Sequence, residues 1–193
     1  MRKRVLVATA LMVAGCSPDT PPTPTPAPAA SPTPMSREEA YAAVPLDGTA
    51  DTPITWDLTA VKESTNVLAA RHGLVHLYWQ WGATDWTPII PVAEALYLHV
   101  FYEQAWEPFA GVTDFTEPVN GPLRVKAMGE DKTSEGFPVV TFCTDRSRWG
   151  DSGTRPVLET YLIHSDARLG SYFVADEDAE AKYRTECTKW ARR

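Results

Sequence analysis

Phe137-Pro138-Val139-Val140-Thr141-Phe142-Cys143-Thr144 is the most strand-like stretch of the sequence, and it places a β-sheet in the second half of the chain. Its β-branched and aromatic residues are typical of strands. Upstream, Leu123–Met128 alternates apolar and polar residues, which predicts a half-buried strand. Downstream, further strands are predicted over Val157–His164 and Ser171–Val174. The connections between these strands carry Gly, Asp and Ser, which favours hairpins and therefore an antiparallel sheet.

The first half of the chain carries helical patterns instead. Ser36 with Glu39 three residues later forms a capping-box pattern, which predicts a short helix. A long helix is predicted over Thr59–Gly82, where apolar residues recur at helical spacing. Another is predicted over Pro91–Glu107, with a proline in its first turn. Residues 46–58 show no regular pattern.

A last helix is predicted at the C-terminal end. It begins near Asp176 among acidic residues, and it carries Tyr183, Cys187 and Trp190 on one stripe. Helices first and antiparallel strands after them indicate a single α+β domain over Ser36–Arg193. We expect the helices to pack on one face of the sheet.

The N-terminal segment has the composition of a secretory signal. Arg2, Lys3 and Arg4 form a positive region, and an apolar run follows over residues 5–14. This run is too short to span a bilayer, which takes about 20 apolar residues. No later apolar run reaches that length.

Val13-Ala14-Gly15-Cys16 ends that segment and resembles the lipobox of bacterial lipoproteins at all four positions. The resemblance implies that residues 1–15 are a signal peptide and that the thiol of Cys16 carries a diacylglycerol. It also implies an extracytoplasmic protein that is anchored to the bacterial cell membrane by this lipid. The alternative is an ordinary secretory signal with an accidental cysteine. Stable anchoring takes more than one acyl chain, because each buried methylene contributes only ~0.8 kcal/mol.

The three cysteines are Cys16, Cys143 and Cys187. With Cys16 lipidated, two remain in the folded part, and an exported chain meets an oxidising compartment where thiols form disulfides. A Cys143–Cys187 disulfide is therefore predicted. It would close a loop of about 44 residues and contribute ~4 kcal/mol. The alternative is two buried free thiols, since cysteine also packs as a small hydrophobe.

Residues 16–35 form a lipidated cysteine followed by a linker of Pro, Thr, Ala and Ser. Such a composition cannot bury a core, so a disordered tether is predicted. Its proline content favours the extended polyproline II conformation, with a reach of ~50 Å. The tether would hold the folded domain away from the membrane.

The acidic balance of the chain excludes some partners. The formal net charge is −7, and it becomes −10 when Arg2, Lys3 and Arg4 leave with the signal peptide. An acidic surface repels the nucleic-acid backbone, so no nucleic-acid partner is expected. It also excludes a polybasic contact with anionic lipids, which leaves the lipid anchor as the membrane contact.

The order of helices and strands resembles the NTF2-like superfold, a cone in which N-terminal helices pack on a strongly curved antiparallel sheet. A closer resemblance is to actinobacterial lipoproteins with such a domain. The matching stretches are Val67–Ala70 with Tyr78-Trp79, and Val140–Asp145 with Trp149. The resemblance implies a cavity between helices and sheet, in which enzymes of the superfold often place an acid or a base.

His72 and His76 are four residues apart on one helical face, a geometry that can bind metal. A zinc protease needs a glutamate beside the first histidine, and Gly73 stands there, so that class is excluded. The alternative is two ordinary helix histidines, and we predict no metal site. The sequence carries no phosphate-loop or dinucleotide motif, so no cofactor is expected.

The candidate catalytic residues are four aspartates that could serve as the acid or base of an NTF2-like cavity. They are Asp85, Asp114, Asp145 and Asp151. The sequence pairs none of them with a Tyr or His, and Ser147 near Asp145 has no local histidine. Aromatic residues are concentrated over 78–106, where they either line a cavity or fill the core.

Two functions are compatible with these features. We expect a non-catalytic lipoprotein of the cell envelope that binds a partner protein, a glycan or a small apolar ligand, because catalytic motifs are missing. The alternative is an enzyme of isomerase or hydrolase type with its site in the cone. It would require a polar acid–base pair inside an apolar pocket.

Overall fold

The computed structural model describes residues 34–150, 156–164, 166–174 and 177–193. The predicted signal peptide, Cys16 and nearly all of the predicted tether lie outside these ranges, and so do Asp151 and Asp176. No helix in the described part of the chain is long and apolar enough to cross a membrane.

Five strands form one open, mixed sheet. In chain order, which is also their spatial order, they are β1 (Ile54–Asp57), β2 (Leu123–Lys132), β3 (Pro138–Asp145), β4 (Val157–Ile163) and β5 (Leu169–Val174). Strands β2 to β5 are antiparallel neighbours, as the sequence predicts. The α+β class is confirmed, whereas the NTF2-like cone stays a prediction.

Strand β1 corrects two expectations. The segment 46–58 is predicted to be irregular, but Ile54–Asp57 is a strand that runs parallel to β2, with Ile54 opposite Leu123. The sheet is therefore mixed and not purely antiparallel. Four residues are too few to show a period, and their strand conformation depends on a partner far along the chain. Trp56 fixes this strand by donating its Nε1–H to the carbonyl oxygen of Leu46 (2.6 Å).

The α-helices are α1 (Arg37–Ala43), α2 (Thr65–Gly82), α3 (Ile90–Leu96), α4 (His99–Ala105) and α5 (Glu177–Ala191), with a 3-10 turn at Glu107–Phe109. The capping box predicted for α1 is present. Helix α2 begins at Thr65 and not at Thr59. The reason is that the hydroxyl of Ser64 accepts the N–H of Val67 (3.1 Å) and caps the helix there.

The helix predicted over Pro91–Glu107 is interrupted. Between α3 and α4, the N–H of Leu98 donates to the carbonyl oxygen of Leu169 (2.8 Å), and Tyr97 bridges to the same strand. The backbone there pairs with the start of β5 instead of continuing the helix. This contact joins residues far apart in the chain, so the local pattern does not reveal it.

The two faces of the sheet carry different cores. Neighbouring residues of a strand point to opposite faces. On β3, Phe142 packs in the larger core with helices α1 to α4, and Cys143 packs in a smaller core with α5. Tyr183 and Cys187 are the buried residues of α5. Helices therefore lie on both faces, and the expectation of one helical face is correct for α2 and wrong for α5.

Candidate functional site

A pocket of about 380 Å³ lies between helix α2 and the adjoining ends of β3 and β4. Its lining side chains are Leu77, Tyr78, Trp81, Val119, Arg146, Trp149, Val157 and Glu159. Most of them are apolar or aromatic. A concave, mainly apolar pocket with a few polar groups is the usual form of a small-molecule site.

Glu159 is the acidic group of this pocket. It lies in β4 and is only 6% exposed. Its Oε1 accepts a hydrogen bond from the hydroxyl of Tyr78 (2.9 Å), and its Oε2 accepts one from the hydroxyl of Thr144. Burial raises the pKa of Glu159, although the two hydrogen bonds and the charge of Arg146 oppose that shift. The carboxyl is therefore fixed in position and releases its proton less readily than an exposed glutamate.

Tyr78 connects helix α2 to this carboxyl. Its ring is buried four residues after Leu74, on the helix face that packs against the sheet. Burial raises the pKa of Tyr78 well above its ordinary value, and the negative charge of Glu159 adds to the shift. The hydroxyl therefore stays protonated and donates to Glu159. The ring also makes an edge contact with Trp149, with centroids 5.1 Å apart.

The connection from β3 to β4 supplies one wall of the pocket. Arg146 and Trp149 follow directly after β3, and the guanidinium carbon of Arg146 lies 5.7 Å from the centroid of the Trp149 ring. The backbone at Gly121 lies close to this connection, and only a residue without a side chain fits there. Its φ is +133°, and an added Cβ would lie 2.2 Å from the carbonyl oxygen of Arg148.

Trp81 belongs to the pocket lining and is also partly open to solvent. Its side chain is 41% exposed, and its ring contacts that of Phe115 with centroids 6.2 Å apart. A large aromatic side chain in this position can cover the apolar surface of a bound molecule.

The pocket can hold a ligand with an apolar body and one hydrogen-bonding group. A carboxyl with a raised pKa beside a protonated phenol also fits proton transfer. The chain matches no protein-family model, no curated protein and no solved structure. The site is therefore defined by its geometry alone.

His72 and His76 lie in α2 but not at this pocket. His72 stacks on the ring of Tyr41 (centroids 4.0 Å apart), and Nε2 of His76 lies 3.1 Å from a backbone carbonyl oxygen. Burial lowers the pKa of both to about 4. Gly73 serves helix packing, because an added Cβ would lie 2.3 Å from Leu169. Within the described ranges, no group of three or more His, Cys, Asp or Glu side chains can hold a metal ion.

Of the candidate acids, Asp85, Asp114 and Asp145 do not line the pocket, and Asp151 lies outside the described residues. Asp85 and Asp114 are exposed. Asp145 lies on the α5 side of the sheet, with Oδ2 3.4 Å from the guanidinium of Arg124. The backbone N–H of Ser147 donates to Asp145 (3.0 Å), which is a turn contact and not a catalytic arrangement.

Glu159 is absent from the predicted site residues, although the sequence contains a signal for it. It is the only charged residue of Val157–Ile163, and the alternation of that strand assigns it to the core face. A buried charge is costly unless it is hydrogen-bonded, so such a position marks a satisfied polar group. The partners Tyr78 and Thr144 lie in other elements, and no local pattern identifies them.

The concentrated aromatic residues divide between the pocket and the core. Tyr78 and Trp81 line the pocket together with Trp149, as the cavity interpretation expects. Trp86 and Trp106 are buried in the larger core, as the packing interpretation expects. Each interpretation is therefore correct for different residues.

Cys143 and Cys187 lie at the distance of a disulfide bond. Their sulfur atoms are 2.08 Å apart and their Cα atoms 5.4 Å apart. Both residues are completely buried, and the pair connects β3 to α5. This geometry agrees with the pairing expected in an oxidising compartment. Cys16, the predicted lipidation site, lies outside the described residues.

Proposed function

We propose that this protein is a membrane-anchored extracytoplasmic lipoprotein whose folded domain is a non-catalytic binding module for a small ligand with an apolar body. The pocket between α2 and the sheet carries the proposal, because it combines aromatic walls with one buried acidic group. Its volume of about 380 Å³ falls within the ~300–1,000 Å³ of small-molecule sites. A concave site of this size fits a small molecule better than it fits the surface of a partner protein.

The lining suggests a ligand with two parts. Trp81 and Trp149 would contact an apolar body, whose burial contributes about 25 cal/mol per Å². Glu159 would accept a hydrogen bond from the other part. An ionised carboxylate can accept about four hydrogen bonds, and Tyr78 and Thr144 supply two. We therefore expect a preference for ligands that carry an O–H or N–H group at one end.

Binding is tested by titrating the apolar fluorescent probe N-phenyl-1-naphthylamine into the full chain. We expect saturable binding that Trp81→Ala weakens about tenfold, which corresponds to roughly 1.4 kcal/mol. Phe137→Ala is the matched control, because it removes an aromatic side chain of similar exposure (37% against 41%) from outside the pocket. Its affinity should equal that of the wild type. Equal affinity in Trp81→Ala, or no saturable binding, contradicts the proposal.

The anchor rests on the N-terminal sequence. The lipobox Val13-Ala14-Gly15-Cys16 supports lipidation, and the tether over 16–35 supports a domain held away from the membrane. We expect Cys16→Ser to abolish acylation and to move the protein from the detergent phase to the aqueous phase. Intact mass and phase partitioning measure the two effects. A mass that differs from that of the wild type only by the exchange of sulfur for oxygen, together with an unchanged partition, would rule out the lipid.

One observation favours a second function, an isomerase or hydrolase-type enzyme in an NTF2-like cone. Burial raises the pKa of Glu159 beside the protonated hydroxyl of Tyr78, which is the environment of a general acid or base. Hydrolysis of p-nitrophenyl esters by the wild type and by Glu159→Gln tests the hydrolase form of this function. The binding proposal expects equal background rates. A wild-type rate at least about tenfold higher, with probe binding retained in the variant, would favour the enzyme.

A further inference from the structure

A second cavity, of about 400 Å³, lies on the α5 face of the sheet. It is bounded by the first turns of α5, by the hairpin between β2 and β3, and by the sheet itself. Four of its lining side chains carry hydroxyl groups, namely Thr133, Ser134, Thr141 and Thr160. We call this cavity the hydroxyl cleft. It lies across the sheet from the pocket that contains Glu159.

The floor of the hydroxyl cleft is a pair of threonines. Thr141 of β3 and Thr160 of β4 stand opposite each other in the sheet, with their hydroxyl oxygens 3.2 Å apart. Their residues are only 2% and 4% exposed. Each hydroxyl has one donor and two acceptor positions, and a mutual bond uses one donor and one acceptor. The pair therefore retains a donor and three acceptor positions for a third group.

The charges around the hydroxyl cleft cancel. Its lining contains Asp131 and Asp178, and it also contains Lys132 and Lys182. Both oxygens of Asp131 already accept hydrogen bonds, from Nζ of Lys182 (2.5 Å) and from the hydroxyl of Tyr183 (2.6 Å). An anion and a cation would each meet as much repulsion as attraction here. A neutral ligand that both donates and accepts hydrogen bonds suits this lining better.

We propose that the hydroxyl cleft is a second binding site, which takes a neutral polyhydroxylated ligand such as one sugar unit of a glycan. Each hydroxyl of a sugar is a donor and an acceptor, like the Thr141–Thr160 pair. The ammonium of Lys182 has three N–H donors. One is donated to Asp131 and a second interacts with Tyr183, which leaves one for such a ligand. This site is independent of the apolar pocket, because the sheet separates them.

The test is a titration of the full chain, followed by amide chemical shifts. Glucose and N-acetylglucosamine are the neutral probes, and glucose 6-phosphate and glucosamine are their anionic and cationic counterparts. We expect millimolar binding of the neutral sugars, with shifts at the amides of residues 131–134 and 139–141. Tighter binding of either charged sugar, or no shifts at these amides, overturns the proposal.

Thr160→Val is the decisive variant, since it nearly keeps the shape of the side chain and removes the hydroxyl. We expect it to weaken sugar binding about tenfold. Ser134→Ala, on the exposed rim, is the second variant and should weaken binding severalfold even if Thr160→Val does not fold. Unchanged affinity in the folded variants contradicts the proposal. Trp81→Ala should weaken binding of the apolar probe and leave sugar binding unchanged, so the two proposals can be contradicted separately.

Discussion

Glu159 determines how the pocket responds to pH. Burial raises its pKa above the ordinary value of 4.5, so the folded state holds the proton more tightly than the unfolded state does. The free energy of unfolding contributed by this group is therefore larger below pH 4.5. It falls as the pH rises through the raised pKa. The same property would let the carboxyl donate a hydrogen bond to a ligand at mildly acidic pH.

Glu159→Gln isolates this effect, because glutamine does not titrate. We expect the wild type to gain unfolding free energy relative to the variant as the pH falls from 7 to below 4.5, the ordinary pKa of the carboxyl. Urea denaturation of both proteins at several pH values measures the difference. A difference that stays constant over this range would show that folding leaves the pKa of Glu159 unchanged.

His76 gives a pH dependence of the opposite sign. It is completely buried, and burial lowers its pKa from 6.5 to about 4. Between these values the unfolded state binds a proton that the folded state does not. The contribution of the neutral His76 to the free energy of unfolding is therefore fully present above pH 6.5, and it is lost as the pH falls toward 4. A pKa shift of this size corresponds to a loss of roughly 3 kcal/mol in the free energy of unfolding.

His76→Phe should therefore reduce the acid sensitivity of the domain. We expect the variant to lose less unfolding free energy than the wild type between pH 7 and pH 4, as measured by urea denaturation. His99→Gln is the matched control, because it removes a histidine from the surface of α4. Equal acid sensitivity in wild type and His76→Phe would contradict a neutral buried imidazole.

Among the helices, α5 is the one that the cysteine pair joins covalently to the sheet. It buries only Tyr183 and Cys187 among its described side chains. Its other contacts include the ion pair between Lys126 and Glu186 (2.8 Å), with the carboxylate half exposed. Exposed ion pairs contribute only about 0–1 kcal/mol. The covalent connection to β3 therefore adds to the packing of α5 against Met128 and Leu158 and to the hydrogen bond of Tyr183 with Asp131.

Replacing both Cys143 and Cys187 with alanine should destabilise the domain by about 2–5 kcal/mol. We expect the amides of α5 to exchange with solvent sooner than those of β3, which hydrogen exchange measures. Mass spectrometry of the non-reduced, digested wild type provides the control for the bond itself. Free thiols that can be alkylated at both positions would contradict the disulfide.

The elements that the sequence predicts correctly carry a local signal. The capping box at Ser36 predicts α1, and the stripe with Tyr183 and Cys187 predicts α5. Strand β1 and the break at Tyr97-Leu98 escape prediction, because both depend on hydrogen bonds to distant segments. Local sequence thus predicts most elements, and long-range pairing sets the remaining boundaries.

The sequence predicts a cavity between helices and sheet, but it does not predict which residues line that cavity. The resemblance to a cone implies a cavity between helices and sheet that contains an acid. Among the described candidates, Asp85 and Asp114 lie in loops and Asp145 is the last residue of β3. Glu159, in contrast, lies within β4. Its burial depends on how α2 packs over the sheet and brings Tyr78 to it. That arrangement is a property of the folded chain and not of any single stretch.

Within the domain, the sheet separates the two cavities described above, which differ in chemistry and are both formed by described residues. The pocket with Glu159 has aromatic walls and lies under α2, while the hydroxyl cleft lies beside α5 and has balanced charges. A ligand with an apolar body should therefore bind in the α2 pocket and not in the hydroxyl cleft. Because the two cavities lie on opposite faces of the sheet, locating a bound apolar probe tests whether the α2 pocket is the apolar binding site.

The most direct test is the chemical-shift map of the full chain with bound N-phenyl-1-naphthylamine. We predict saturable shifts that are largest at the amides around Trp81 and at the indole N–H of Trp149. The amides of α5 should not move. Shifts confined to α5 or to the region of Phe137, or shifts that never saturate, would contradict the assignment of the α2 pocket as the ligand site.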